Sequence, residues 1–167
     1  LKEALKIGAI PVQLSHIQLA PWTSPDEKGF GDAPEFAEYI LFQYGILVDA
    51  KSGKRFINEL ADRKTLSDKI LSIGQHCIGI TDKNILKRAK EIKEPPYYGV
   101  RLWPKVHFTM GGIGINTKAQ VIDYQGEAIK GLYAAGEITG GVHGASRLAN
   151  CAITECFVFG KIAGRNV

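Results

Sequence analysis

Gly131-Leu132-Tyr133-Ala134-Ala135-Gly136-Glu137-Ile138-Thr139-Gly140-Gly141-Val142-His143-Gly144-Ala145-Ser146-Arg147-Leu148-Ala149-Asn150 sets glycines, one carboxylate and one arginine between a short apolar run and a long one. Residues 131–135 read as a buried strand that ends in a turn at Gly136. Glu137 falls at the strand end, where a carboxylate can accept hydrogen bonds from both hydroxyls of a ribose. Gly140, Gly141 and Gly144 remove Cβ atoms where a backbone must pass close to a ligand or adopt positive φ. Residues 148–163 form an apolar run long enough for roughly four helical turns. The start of such a helix presents unpaired N–H groups and positive partial charge. The stretch therefore reads as a site for a large anionic cofactor. On spacing alone, a glycine-rich turn before an ordinary core helix reads the same.

The rest of the chain narrows the class without naming a function. Its 167 residues are 45% hydrophobic, enough to bury one core, so one domain or one and a fragment is expected. The net charge is +4 and the basic residues are scattered. Lys83, Lys87, Arg88, Lys90 and Lys93 are the densest cluster and read as a solvated helix face, with no nucleic-acid partner. No apolar run reaches the roughly 18 residues of a membrane span, because Arg147 and Lys161 bracket the longest one and Glu155 interrupts it. No signal peptide is visible, and a start at Leu1 inside the end of a helix reads as a fragment. Cys77, Cys151 and Cys156 form no C-x-x-C pair, so neither a zinc site nor a disulfide framework is expected. Cys151 and Cys156 read as small core residues.

A pass along the chain gives an α/β pattern. Residues 17–19 read as a short strand and residues 20–34 as a loop with Pro21, Pro25, Gly29 and Gly31. Residues 46–49 and 55–57 read as a hairpin around Lys51-Ser52-Gly53. Helices are expected over 62–73 and 82–92, with a strand at 77–81 between them. Pro95-Pro96 leads into a strand at 97–102. Residues 113–117 and 120–123 alternate like a small meander joined by Lys118-Ala119.

His107-Phe108-Thr109-Met110-Gly111-Gly112, the run from Gly131 to Glu137, and Thr139-Gly140-Gly141-Val142-His143-Gly144-Ala145-Ser146-Arg147-Leu148 together resemble the C-terminal part of the fumarate reductase and succinate dehydrogenase flavoprotein family. The nearest likeness is to soluble flavocytochrome c type fumarate reductases. Gly53-Lys54-Arg55-Phe56-Ile57-Asn58-Glu59 adds to it. The resemblance implies the C-terminal part of a glutathione-reductase-like flavoprotein with two dinucleotide-binding domains. Residues 1–50 and 101–167 would be parts of the FAD-binding domain, and 51–100 a reduced or truncated α+β capping segment. The family's G-x-G-x-x-G phosphate loop is absent, and Gly111-Gly112-Ile113-Gly114 lacks its spacing and context. No pyrophosphate cradle is evident, so this chain would carry the far half of a flavin site.

The resemblance also implies chemistry. Reduced FAD would give hydride to the β-carbon of an α,β-unsaturated carboxylate, and an acid would protonate the α-carbon. Arg147 matches the family's carboxylate-binding arginine, and His107 stands where many members carry a substrate-binding histidine. Glu59 and Arg63 fall where an acid and an arginine feed protons inward, although an i, i+4 surface ion pair would have the same spacing. Thr109, Met110, Gly111 and Gly112 would line the isoalloxazine through backbone contacts. Gly136 and Glu137 would hold the ribose, and N–H groups around Cys151, Ala152 and Ile153 the pyrimidine edge. There a helix N-terminus would stabilise the negative charge of reduced flavin.

The chain also departs from the family. Ala20 stands where such reductases commonly have histidine and Phe108 where some soluble members do. The motif around residues 81–88, where a capping-domain arginine donates the proton in the family, is too eroded to match to one residue. Asn150 and Cys151 stand where glycine and asparagine are common, close enough to tune the flavin. The histidine losses suit a substrate with one carboxylate and an apolar tail better than a dicarboxylate. They also suit a non-catalytic flavin-binding or electron-transfer module, and the reaction could run in the oxidative direction. A haem domain or cytochrome as electron donor and a periplasmic location, with a cytoplasmic one as the alternative, complete what the family implies.

Overall fold

The computed structural model describes residues 1–27, 45–82 and 95–167. In chain order the elements are helix α1 (Lys2–Lys6), strands β1 (Pro11–Val12) and β2 (Ile17–Thr23), a 3-10 turn (Pro25–Glu27), strand β3 (Ile46–Asp49), helix α2 (Arg63–Ile73), strands β4 (Cys77–Asp82), β5 (Tyr97–Thr109), β6 (Gly112–Ile113), β7 (Gln120–Ile122) and β8 (Ala128–Tyr133), and helix α3 (Cys151–Asn166). They form two compact units, Leu1–Gln18 with Val106–Val167, and Leu19–Lys105. The expected helix over 82–92, the basic cluster and much of the loop at 20–34 lie outside the described residues, although Asp82 itself ends β4.

The unit Leu19–Lys105 is organised by a four-stranded sheet of order β2-β5-β4-β3, with β3–β4 and β4–β5 antiparallel. Ala20, Trp22, Leu47, Leu66, Ile70, Cys77 and Leu102 form its core. Helix α2 starts where Asp62 accepts hydrogen bonds from the N–H groups of Lys64 (2.9 Å) and Thr65 (3.1 Å). Leu66 and Ile70, one turn apart, are fully buried and contribute about 1.5–3 kcal/mol each. Gly74 ends the helix at φ 73°, a left-handed conformation that suits glycine. Of the expected hairpin the first strand and the turn form, with Gly53 N–H donating to Asp49 O at 2.8 Å and Asp49 N–H to Lys54 O at 3.0 Å. Residues 55–57 are not a strand but meet β3 at the single bridge Val48–Arg55, because β3 takes β4 as its ladder partner.

Two strands outrun their sequence boundaries. Strand β2 continues through Ala20-Pro21-Trp22-Thr23, which reads as loop. As the edge strand of the sheet it has no ladder on one side, so the missing Pro21 N–H is tolerated. Strand β5 continues past Leu102 to Thr109. Its pairing with β4 ends at Cys77↔Leu102, so Pro104 removes no donor from that ladder.

In the other unit, β1 pairs with β6 and β7 with β8, all antiparallel, over a small core of Ala9, Ile113 and Val121. The meander closes as expected: Asn116 Oδ1 accepts from the N–H groups of Lys118 and Gln120, and Ile115 bridges Val121. Strand β8 is not the buried strand expected at 131–135. It starts at Ala128 and is half exposed, because a two-stranded sheet packs one face alone, through Ile129 and Leu132. Helix α3 starts at Cys151 rather than Leu148. Residues 148–150 make a turn, with Asn150 at φ 65° and Leu148 O accepting from Cys151 N–H. Its apolar side chains are not core within this chain: Phe157 is 74% exposed and Cys156 is exposed, whereas Glu155 is buried.

Candidate functional site

The loop between β8 and α3 is stitched to β6 by backbone bonds from Ile113 N–H to Ile138 O (2.9 Å) and from Gly140 N–H to Ile113 O (3.0 Å). This contact explains several glycines. A Cβ on Gly112 would lie 2.0 Å from Ile138 O, one on Gly140 2.5 Å from Val12 O, and one on Gly111 2.2 Å from Gln13 O. Neighbouring backbone stands where each of these Cβ atoms would lie, a close approach that requires glycine. Gly136, Gly141 and Gly144 instead supply positive φ at 80°, 89° and 64°.

Arg147 is buried at 8% exposure while Ala145, Ser146, Leu148, Ala149 and Asn150 around it are exposed. Its Nη1 donates to Leu148 O at 2.9 Å, and its Nη2 lies 3.0 Å from His107 Nε2. A guanidinium has donors alone, so His107 Nε2 is the acceptor in this contact and the imidazole proton sits on Nδ1. The guanidinium carbon stands 4.6 Å over the Phe108 ring, a cation–π contact. Gln18, buried at 3%, fixes the arginine's backbone by donating from Nε2 to Arg147 O at 2.7 Å. The sequence-predicted pair Arg147 and His107 is thus brought together.

Glu155 of α3 closes the other side of the loop. Its Oε1 accepts from Thr139 Oγ1 at 2.6 Å, and its Oε2 meets His143 Nε2 at 2.7 Å. The His143 ring then meets Phe108 edge to face, with centroids 5.9 Å apart and planes at 75°. Sequence reasoning missed Gln18, His143 and Glu155 as members of this cluster. The available signal was a single carboxylate inside an apolar helix, which reads there as an interruption.

Several of the candidate cofactor contacts make hydrogen bonds within the protein. Glu137 Oε1 accepts from Thr109 N–H (2.8 Å) and Thr109 Oγ1 (3.0 Å), leaving Oε2 of this exposed residue without a partner among the described residues. Met110 N–H donates to His16 O at 2.9 Å, so the N–H groups of Thr109 and Met110 are bonded within the protein. At the start of α3, Cys151 N–H donates to Leu148 O (3.4 Å) and Ile153 N–H to Asn150 O (3.1 Å). Ala152 N–H has no partner among the described residues and is the donor the helix start offers. An acceptor at Glu137 and a donor at a helix N-terminus fit the ribose and pyrimidine ends of FAD. A cleft of about 360 Å³ in the same unit is walled by residues including Val12, Ile115, Val142 and Phe159, and Arg147 is not among its walls.

Glu59 and Arg63 sit in the unit Leu19–Lys105, where Glu59 takes Arg55 as its ion-pair partner. Buried Glu59 accepts from Leu47 N–H at 2.7 Å and from Arg55 Nε at 3.0 Å. The carboxylate holds the Arg55 guanidinium in its charged form, first by hydrogen bonding and then by charge.

The FAD binding domain family matches residues 72–153. The acrylate reductase flavoprotein subunit of Shewanella woodyi is 35% identical over 98% of this chain and 45% of its own length. The NADH:acrylate oxidoreductase of Vibrio harveyi is 49% identical over 96% of the chain and 22% of its length. The open conformation of a flavocytochrome c3 fumarate reductase superposes with TM-score 0.76 and 31% identity over 98% of this chain and 38% of that one. The chain therefore spans less than half of each of these proteins. The Shewanella woodyi match runs over 229 residues against a chain of 167, so that relative carries internal positions that this chain lacks.

Proposed function

The chain belongs to the fumarate reductase and succinate dehydrogenase flavoprotein family, and from that premise we propose that it carries the far half of an FAD site that reduces an α,β-unsaturated acid with one carboxylate. In this reading residues 1–50 and 101–167 are parts of the FAD-binding domain, and 51–100 a reduced cap. A reduced cap would account for internal positions that the Shewanella woodyi relative carries and this chain lacks.

When bound and reduced, FAD supplies hydride for the β-carbon, and a proton at the α-carbon completes conversion of C=C to CH–CH. Arg147 binds the substrate carboxylate through its planar fork. Negative charge builds on that carboxylate during hydride transfer, so the contact strengthens towards the transition state and accelerates the step. His107, accepting from Nη2, fixes the plane of the fork, and Phe108 keeps water from one face of it. Glu137 Oε2 and Ala152 N–H hold the ribose and the pyrimidine edge, with Gly136 shaping the turn. Asn150 and Cys151 border that edge. Glu59 and Arg63 belong to the route by which the proton arrives.

The observation that carries this reading is Arg147, a buried guanidinium held between an imidazole acceptor and an aromatic face. Acrylate, named in both relatives, has a single carboxylate, and Ala20 and Phe108 remove two imidazoles that a second carboxylate would meet. The same two residues favour a second reading, a flavin-binding or electron-transfer module with no substrate, and the flavin potential would decide an oxidative direction. A haem domain or cytochrome as electron donor and a periplasmic location accompany the main proposal. The test is the intact protein that carries this sequence, its released flavin identified by chromatography and its reductase activity measured on acrylate, aryl acrylates and fumarate. Turnover of the monocarboxylates above fumarate is expected. FAD with no turnover of any acid selects the module.

A further inference from the structure

Glu155 is the buried residue of α3, and its carboxylate grips Thr139 and His143, the two ends of a segment whose middle is Gly140-Gly141. Those glycines have no side chains to fix the segment, and Gly141 sits at φ 89°. A carboxylate accepts hydrogen bonds, so His143 Nε2 carries the proton in its contact with Glu155. His143 Nδ1 has no partner among the described residues. The ring so oriented meets Phe108 edge to face, and the Phe108 ring carries the Arg147 guanidinium 4.6 Å from its centroid. A line of contacts thus runs from Glu155 through His143 and Phe108 to Arg147.

We propose that Glu155 and His143 are positioning residues that set the Phe108 ring and, through it, the Arg147 guanidinium for the substrate carboxylate. The inference rests on the reading of Arg147 as the carboxylate-binding cation. It differs from a simple clamp between loop and helix, because a clamp needs two hydrogen bonds and is indifferent to which histidine nitrogen is protonated.

Glu155→Gln separates the two. The Thr139 hydroxyl has one proton and two acceptors in reach, Glu155 Oε1 and Gly136 O at 2.8 Å, so the new amide keeps both bonds in either orientation. With its nitrogen towards His143, Nε2 must be an acceptor and the proton moves to Nδ1, and this is the orientation that separates the two. In the intact flavoprotein, nitrogen-15 NMR of His143 is expected to show protonated Nε2 in the parent and protonated Nδ1 in Glu155→Gln. The acrylate KM is expected to rise by roughly tenfold or more, with kcat changed less and FAD content unchanged, since small misplacements of a binding group carry penalties of that order. His143→Gln keeps an N–H for Glu155 and removes the ring from Phe108. It is expected to raise KM likewise, and it decides the matter alone if Glu155→Gln fails to fold.

A His143→Gln protein, or a Glu155→Gln protein whose His143 proton has moved to Nδ1, that holds FAD and keeps KM within about twofold of the parent overturns the positioning role and leaves the Arg147 reading intact. An unchanged KM in Arg147→Lys overturns that reading, and the positioning role with it.

Discussion

Arg147 Nη2 and His107 Nε2 lie 3.0 Å apart although 40 positions separate the residues in sequence. The contact joins the end of β5 to the loop before α3 and orients a buried cation by an imidazole lone pair. Replacing Arg147 by lysine keeps the charge and removes the planar fork. Arg147→Lys is expected to lower kcat/KM for the unsaturated acid by about 10²–10³ while FAD content is retained. Steady-state kinetics beside the flavin absorbance of the same preparation checks both parts.

Phe108 packs its ring against Arg147 and His143, so its chemistry bears on what the cation can receive. On the proposed function, Phe108→His offers an imidazole beside Arg147 that a second carboxylate can meet. The ratio of kcat/KM for fumarate over acrylate is expected to rise at least about tenfold, because one well-placed hydrogen bond discriminates on that scale or above. A ratio unmoved by Phe108→His would show that this position does not read the substrate's second end.

Arg147 and His107 were legible in the sequence because each sits in a motif whose residue order resembles the family. The Glu155–His143 pair was not, since its members are 12 apart and a carboxylate in an apolar helix has no periodic signature. The end of β2 failed for a related reason: Pro21 reads locally as part of a loop, and tolerance of a missing N–H depends on which strand lies alongside. Apolar α3 reads as a core helix, yet within this chain Glu155, not Phe157, is its buried residue.

Gly112 is fixed by neighbouring backbone, since a Cβ there would stand 2.0 Å from Ile138 O. Gly112→Ala must push β6 away from the loop that holds Arg147. It is expected to destabilise by about 2–3 kcal/mol or more, the range for overpacking at a rigid contact, read from a denaturant midpoint. An unchanged midpoint would refute the contact.

Asp62 caps α2 and its carboxyl titrates below its ordinary value, chiefly through the Thr65 hydroxyl and then the Thr65 N–H. A carboxyl with a depressed native pKa contributes stability that is present above the unfolded value and lost as pH falls through the folded one. Asp62→Ala is expected to cost about 1 kcal/mol at neutral pH, and the difference from the parent should shrink below about pH 4. Thermal melts of both proteins across that range check the sign.

Burial pushes the Cys77 thiol up to about 12. Thiolate is the reactive form, so Cys77 is expected to resist iodoacetamide at about pH 8 in the native protein and to react on denaturation. Peptide mapping that finds native labelling at Cys77 would contradict its place in the core beside Leu102.

The most direct test of the account is anaerobic rapid mixing of the intact, chemically reduced protein with acrylate and, separately, with fumarate, following the flavin absorbance. Reoxidation by acrylate that outpaces reoxidation by fumarate, and that is lost in Arg147→Lys, is the predicted result. Reduced flavin that survives both acids, or reoxidation indifferent to Arg147, would contradict it.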